Sequence, residues 1–307
     1  MNTLLKDAPP RIRQPRPTFK RSLIPYAYIS PTAALLLVLM MLPIILVIGY
    51  SFFDNVIVNK NPEFVGLANY VEILTDGVFA QALGNTLYFT FVSVGAHLVL
   101  GLSFAMLLNT RLLSSLSKAL FRAIYVMPWL FTVAIIAVLW RLLLNPNGVI
   151  NYVIITLGLS DTGIEWLSSR DTALIAVTFI NIWAGYPFFM VSLLAGLQGI
   201  PRDLYEAATV DGANPIQQFI HVTLPQLKPI IISMAMLDLI WTSQQFALIW
   251  MTTGGGPIND TEMLSTFTYK AAFSSYEFSQ ASASAVIVLL LSMVLAFFYV
   301  CHQKSRD

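Results

Sequence analysis

Cysteine occurs once in this chain of 307 residues, as Cys301, so no disulfide can close within it. Histidine is nearly as scarce: His97, His221 and His302 are too scattered to suggest a metal site, and none is expected. Charge is thin as well. Charged residues make up 11% of the chain against 57% hydrophobic, too little polar surface to coat a water-soluble globule of this length. The formal net charge of +1, with no basic stripe interleaved with aromatics, gives no basis for binding nucleic acid. No stretch fits G-x-x-x-x-G-K-[ST] or H-E-x-x-H, and no nucleophile and base are set out together, so no catalytic residue is expected and the chain is not read as an enzyme.

What the chain has in quantity is uncharged apolar sequence, gathered into runs long enough to cross a hydrocarbon core of ~30 Å. The runs predict an all-α membrane protein of six transmembrane helices over residues 29–52, 85–108, 123–144, 173–197, 229–251 and 280–299. Pro43, Pro128 and Pro187 fall inside three of them and predict kinks. The first run is longer than a signal-peptide core and lacks a small-x-small cleavage site, so it is expected to stay as an anchor. Residues 1–23, with Pro9, Pro10, Pro15 and Pro17 among basic residues, are expected to form a tail, and residues 24–307 a single six-helix domain.

The connecting segments fall into two sets. One carries Lys6, Arg11, Arg13, Arg16, Lys20 and Arg21, then Arg111, Lys118 and Arg122, Arg202 and Lys228, and finally Lys304 and Arg306; the other has only Lys60, Arg141, Arg170 and Lys270. The positive-inside rule therefore places both termini and the segment 198–228 in the cytoplasm. Segments 53–84, 145–172 and 252–279 fall on the opposite face, where Tyr70, Trp166, Tyr269 and Tyr276 suit the headgroup level.

Segment 198–228 is long for a membrane loop and reads as helix, turn, helix. Pro201 opens it, Asp203 and Glu206 favour a helix N-terminus, and Ala207 and Ala208 are strong helix formers. Asp211 and Gly212 break that helix. Asn214 is placed to cap a second one with Pro215 at its first position and Ile216, Phe219, Ile220 and Val222 at helical spacing, until Leu224 and Pro225 end it.

The order Glu206-Ala207-Ala208, three residues, Gly212, nine residues, Val222, one residue, Leu224-Pro225 resembles the EAA loop of ABC importer permeases, with Val222 where that pattern has Ile. The resemblance extends over roughly 24–302. Phe64-Val-Gly-Leu-Ala-Asn-Tyr70, Asn85-Thr86, Arg122 with Pro128, Asn145-Pro-Asn-Gly148 and Trp250-Met-Thr-Thr-Gly-Gly-Gly-Pro257 are similar to phrases of maltose-type sugar permeases. It implies a type I ABC importer permease fold in a bacterial plasma (inner) membrane. It also implies a second permease as heterodimer partner, two ATP-binding subunits that carry ATP and Mg, and a periplasmic or extracytoplasmic sugar-binding protein. Glu206, Ala207, Ala208, Asp211, Gly212, Phe219, Val222, Leu224 and Pro225 would then form the loop that couples to the ATPase. The glycines at 254–256 read physically as a flexible turn and nothing more.

An ionisable residue inside a span is costly, so Asp238 calls for a partner or a cavity. It shares a helix face with Trp241, Thr242 and Gln245, and the fourth span adds Asn181, Trp183 and Tyr186; Ser282 and Ser284 stand in the sixth. Aromatic faces with hydroxyls and amides suit a neutral sugar, although the same groups also serve helix packing, the role expected of His97. Arg141 is given no substrate role. The rival readings are an ion-coupled secondary transporter using Asp238, which usually shows internal repeats not seen here, an intramembrane enzyme, and a structural scaffold that leaves the EAA-like loop unexplained.

Overall fold

The computed structural model describes residues 19–110 and 112–304, so the expected tail lies outside the described residues as far as residue 18. The first helix, α1 (Phe19–Tyr50), is uncharged from Ser22 onward and starts ten residues before the predicted span. Up to Gly49 it makes one compact unit, and the chain from Tyr50 makes a second.

The second unit is helical. In order it contains α2 (Ala68–Thr75), α3 (Gly77–Asn109), α4 (Ser115–Leu130), α5 (Val133–Leu143), α6 (Val149–Thr156), α7 (Ala173–Gly199), α8 (Arg202–Val210) and α9 (Pro215–Gln218). A π-helical turn, Phe219–Thr223, leads into α10 (Leu224–Ser243), followed by α11 (Ala247–Thr252), α12 (Leu264–Phe273) and α13 (Phe278–Lys304). Among the described residues the one β feature is an isolated bridge between Phe53 and Phe64.

Among the described residues five helices are long and apolar enough to cross a membrane, and the count reaches six when the bent pair α4 and α5 is taken as one span. That pair corrects the predicted continuous third span. α4 and α5 meet at 99°, and the break falls on Phe131 and Thr132, both extended, rather than at Pro128 inside α4. Two extended residues interrupt the i to i−4 ladder for a full turn, so the chain turns a corner where a proline alone would have bent it.

The predicted fifth span is corrected at both ends. Leu224 and Pro225 do not end the loop helix; the π turn carries the chain without interruption into α10, with Pro225 in its first turn. At the far end the helix stops at Ser243, and Gln244, Gln245 and Phe246 are unwound before α11. Backbone released in this way is tolerated at membrane depth where it lines a cavity.

The core is built on α3 and α7. His97 meets Asn181 and lies against Gly185, and Gly101 meets Phe189 and Met190, so positions rise together and the two helices run parallel. α10 runs antiparallel to α7: Gly196 faces Leu227 and Ile230 near one end, while Asp238 lies by the middle of α3 and α7. Ala105, Leu108, Phe189, Met190, Leu193, Leu197 and Leu227 fill the space between them. Small residues bring backbones this close, which matters where lipid supplies no hydrophobic drive between helices.

A Cβ on Gly101 would collide with the Phe189 side chain and crowd the Met190 backbone, whereas one on Gly95 of the same helix meets open space. Gly101→Ala is therefore expected to destabilise the protein by about 1–3 kcal/mol through overpacking. Gly95→Ala should leave stability unchanged or raise it by up to ~1 kcal/mol through helix propensity. Thermal unfolding of the detergent-solubilised protein compares them, and equal effects would show that the close approach at Gly101 contributes nothing.

Candidate functional site

The bend between α4 and α5 and the unwound end of α10 open a cavity of about 310 Å³ in the helix bundle. α3 contributes His97. The α4/α5 corner gives Pro128, Trp129, Phe131, Val133 and Ile136; α7 gives Asn181, Ala184, Gly185 and Phe188; and the α10 end gives Asp238, Trp241, Thr242 and Gln245. One wall is aromatic, with Phe188 tilted against both Trp129 and Trp241. The lining also holds polar groups.

His97, Asp238, Asn181 and Thr242 form a connected set. His97 Nδ1 lies 2.8 Å from Asp238 Oδ2, His97 Nε2 lies 3.1 Å from the Asn181 carbonyl oxygen, and Thr242 Oγ1 donates to Asp238 Oδ1 at 3.1 Å. His97 is 2% exposed and Asp238 8%, so both are shielded from bulk water. The imidazole fits because Gly185 has no side chain; a Cβ there would overlap the ring. Asn181 lines the cavity, and its side-chain amide nitrogen is buried without a hydrogen-bond partner.

Of the nine residues suggested by sequence, Asn181, Asp238, Trp241, Thr242 and Gln245 come together here. The other four lie elsewhere. Trp183 packs edge-on against Trp140, Tyr186 lies against Phe104, Ser284 shares a hydrogen bond with Thr268, and Ser282 is buried outside this cavity. The sequence reading missed Trp129, Phe131 and Phe188 as lining residues. Their signal was aromatic residues next to Pro128 and Pro187, which reads equally as lipid contact.

At the other end of α7, segment 198–228 is held by backbone geometry. α8 closes in a Schellman motif: Gly212 N–H donates to the Thr209 carbonyl and Ala213 N–H to that of Ala208, with Gly212 at φ +80°. That left-handed position favours glycine because a Cβ would strain it. Two residues on, Asn214 caps the next helix with Pro215 at the first helical position, as predicted, and Gln217 completes a capping box with it. Gln218 Nε2 donates to Thr209 Oγ1 and the Ala213 carbonyl, and Tyr205 and Thr223 share a hydrogen bond, so the two short helices are fastened together. Glu206, Ala207, Asp211 and Gly212 are exposed, while Ala208, Phe219 and Val222 are half-buried. Phe219 lines a pocket with Met106 and Tyr205, and Val210 (88% exposed) and Ile216 (70%) are the most exposed of the apolar side chains presented outward, with Leu204, Ile220 and Leu224 less so.

The ends of the bundle remote from that loop are cross-linked. Arg170 Nε donates to Asp260 Oδ2 at 2.7 Å, Gln81 Nε2 to Asp260 Oδ1, and Asn85 Nδ2 to the carbonyls of Asn259, Asp260 and Glu262. The glycines at 254–256 are more specific than a flexible turn. Gly254 and Gly255 take φ +61° and +89°, and a Cβ on Gly255 would collide with the carboxylate of buried Glu262, which is paired with Lys270. Arg141, assigned no role, donates to the Met251 carbonyl at 3.4 Å.

A family model described as "Binding-protein-dependent transport system inner membrane component" matches residues 97–306, and the chain belongs to that family of membrane transport subunits. It is 36% identical over 290 residues to the trehalose/maltose transport system permease protein MalF of Thermococcus litoralis, covering 94% of this chain and 95% of that one. It is 33% identical over 281 residues to the sulfoquinovosyl glycerol transport system permease protein SmoG of Agrobacterium fabrum, covering 91% and 90%. Its fold matches a chain of a bacterial ABC transporter involved in the import of the acidic polysaccharide alginate, with a TM-score of 0.79, 23% identity and coverage of 94% and 96%. The fold is thus that of an ABC importer permease, and the chain is an inner-membrane component of such a system.

The Arg170 guanidinium, hydrogen-bonded to Asp260, holds that carboxyl below the usual carboxylate range; partial desolvation opposes this, and the charge of Arg170 and the Gln81 amide add to the lowering. A lowered folded pKa means the interaction stabilises fully above the unfolded value of ~3.9 and is lost as pH falls through the folded value. Protease protection of segment 252–263 in wild-type protein is expected to fall over that acid window. In Asp260→Asn it should start lower and lack that step; matching acid profiles would show that the pair does not hold the segment.

Proposed function

We propose that this chain is one of two permease subunits of an ABC importer that passes a sugar or sugar derivative from an extracytoplasmic binding protein across the inner membrane. The observation that carries the proposal is segment 198–228. Its Glu206-Ala207-Ala208 and Gly212 sit on a capped, cross-braced helix pair whose exposed surface combines the carboxylates of Asp203, Glu206 and Asp211 with the apolar Val210 and Ile216. A rigid surface of this kind suits docking to another protein, because little side-chain or loop order has to be gained on binding.

In this reading the loop and both termini lie in the cytoplasm, in line with the placement of basic residues. The second permease completes the path, two ATP-binding subunits meet the coupling loops, and ATP and Mg bind on those subunits. Sugar as cargo is supported by the names of the relatives and by the chemistry of the cavity. Aromatic Trp129, Phe188 and Trp241 line the cavity together with amide, hydroxyl and imidazole groups, a combination that suits the apolar faces and hydroxyl rims of a sugar ring. α7 and α10 both line the cavity and both run into the loop, so closure of the ATPases would move the cavity walls directly. Both oxygens of Asp238 already have protein partners, His97 and Thr242, which leaves an ion-coupled transporter without a distinguishing feature here.

Purification of the subunit from its native membrane in mild detergent is expected to recover a second permease and an ATPase. Glu206→Lys should lose the ATPase or lower transport-coupled hydrolysis by on the order of tenfold, the scale of a lost interfacial hot spot. Wild-type preparations without an ATPase would overturn the proposal.

A further inference from the structure

His97 and Asp238 are the two titratable groups among the described residues lining the cavity, so the charge of its wall is the charge of this pair. Hydrogen-bond geometry fixes that charge. The Asn181 carbonyl beside His97 Nε2 can only accept, so Nε2 carries hydrogen. His97 Nδ1 lies 2.8 Å from Asp238 Oδ2, and a second hydrogen must sit between them, either on imidazolium facing carboxylate or on a carboxylic acid facing neutral imidazole. Both arrangements are neutral overall. Removing that hydrogen sets two lone pairs against each other in a buried site, and moving the Nε2 hydrogen to Nδ1 does the same at the Asn181 carbonyl.

We propose that His97 and Asp238 act as positioning residues, a proton-holding and electrically neutral clamp that ties α3 to α7 and α10 and keeps the cavity wall uncharged for a neutral cargo. The inference rests on the transport reading. Neither residue is required as the cargo's own ligand, because Asp238 Oδ1 is held by Thr242 and Oδ2 by His97. Gly185 is part of the clamp because the imidazole occupies the space a side chain would take.

The test uses the assembled complex, reconstituted in lipid vesicles with its binding protein and ATP. His97→Leu leaves a buried carboxylate without its counter-charge and is expected to lower the maximal uptake rate by on the order of tenfold. The concentration of loaded binding protein giving half-maximal uptake should stay unchanged, because the pair lies in the path and not on the docking face. Asp238→Asn should cost less, since an amide can donate to Nδ1 of neutral His97. The double variant should recover a large part of the His97→Leu loss, a coupling expected only if the stranded charge causes the defect.

A double variant no better than His97→Leu, or an Asp238→Asn loss larger than that of His97→Leu, would overturn the clamp. If the wild-type complex imports no sugar, the transport reading fails instead. Thermal midpoints of the same four proteins still decide the clamp, with His97→Leu expected lowest and the double variant above it.

Discussion

The close approach of α3 to α7 is the constraint from which the rest of the second unit follows. Gly101 lets the α3 backbone lie against Phe189 and Met190, and Gly185 leaves room for an imidazole at the same interface. With α10 seated on α7 at Gly196, the three helices converge at one depth, and a histidine from one can reach a carbonyl of the second and a carboxylate of the third. Were the interhelical distance set by leucines, His97 would find neither partner. A buried ionisable pair in lipid survives only when every lone pair and hydrogen is matched, so backbone spacing comes before electrostatics here.

The same three helices relate the cavity to the loop. α7 ends at Gly199 and α8 begins at Arg202, while α10 starts at the end of the π turn, so the loop is continuous with two of the cavity's walls. From Leu224 to Asp238 is fourteen helical steps, a lever of roughly 21 Å with no break in it. The breaks lie elsewhere, at Phe131 and Thr132 and at Gln244 to Phe246, both at the cavity. Rigid rods from the loop thus meet interrupted rods at the cavity, an arrangement in which displacement is delivered to the place where the backbone can change shape.

Local rules made some of this readable in the sequence and hid the rest. Asp211-Gly212 and Asn214-Pro215 specify a helix break and a capped restart within a few residues, and both formed at an exposed turn. The fourth span was found within two residues of α7, since an apolar run between polar loops has few alternatives. The third and fifth spans were not, because composition reports which residues can sit in lipid and not whether the helix through them is whole. Nothing in Phe131-Thr132 or Gln244-Gln245 forbids a helix; the breaks depend on the cavity they line. Which candidates face one another was equally hidden. Trp183 and Tyr186 are near neighbours of Asn181 in sequence, yet helical rotation turns them toward Trp140 and Phe104, and only the α3 register reveals that Asp238 is met by His97.

The two ends of the bundle differ in how they are held. Opposite the loop, bonds of long sequence separation join the start of α3 to segments before α7 and after α11, through Arg170, Asp260, Gln81 and Asn85. Gly255 packed against Glu262 removes the freedom that three glycines would otherwise bring. At the loop end the bracing is local, within α8, α9 and the π turn, and makes that element stiff in itself, with few polar ties to its surroundings among the described residues. A loop that is internally rigid yet loosely tethered can be displaced as a body. A far end that is cross-linked resists following, and the difference must be absorbed between them, at the cavity where α4, α5 and α10 are already broken.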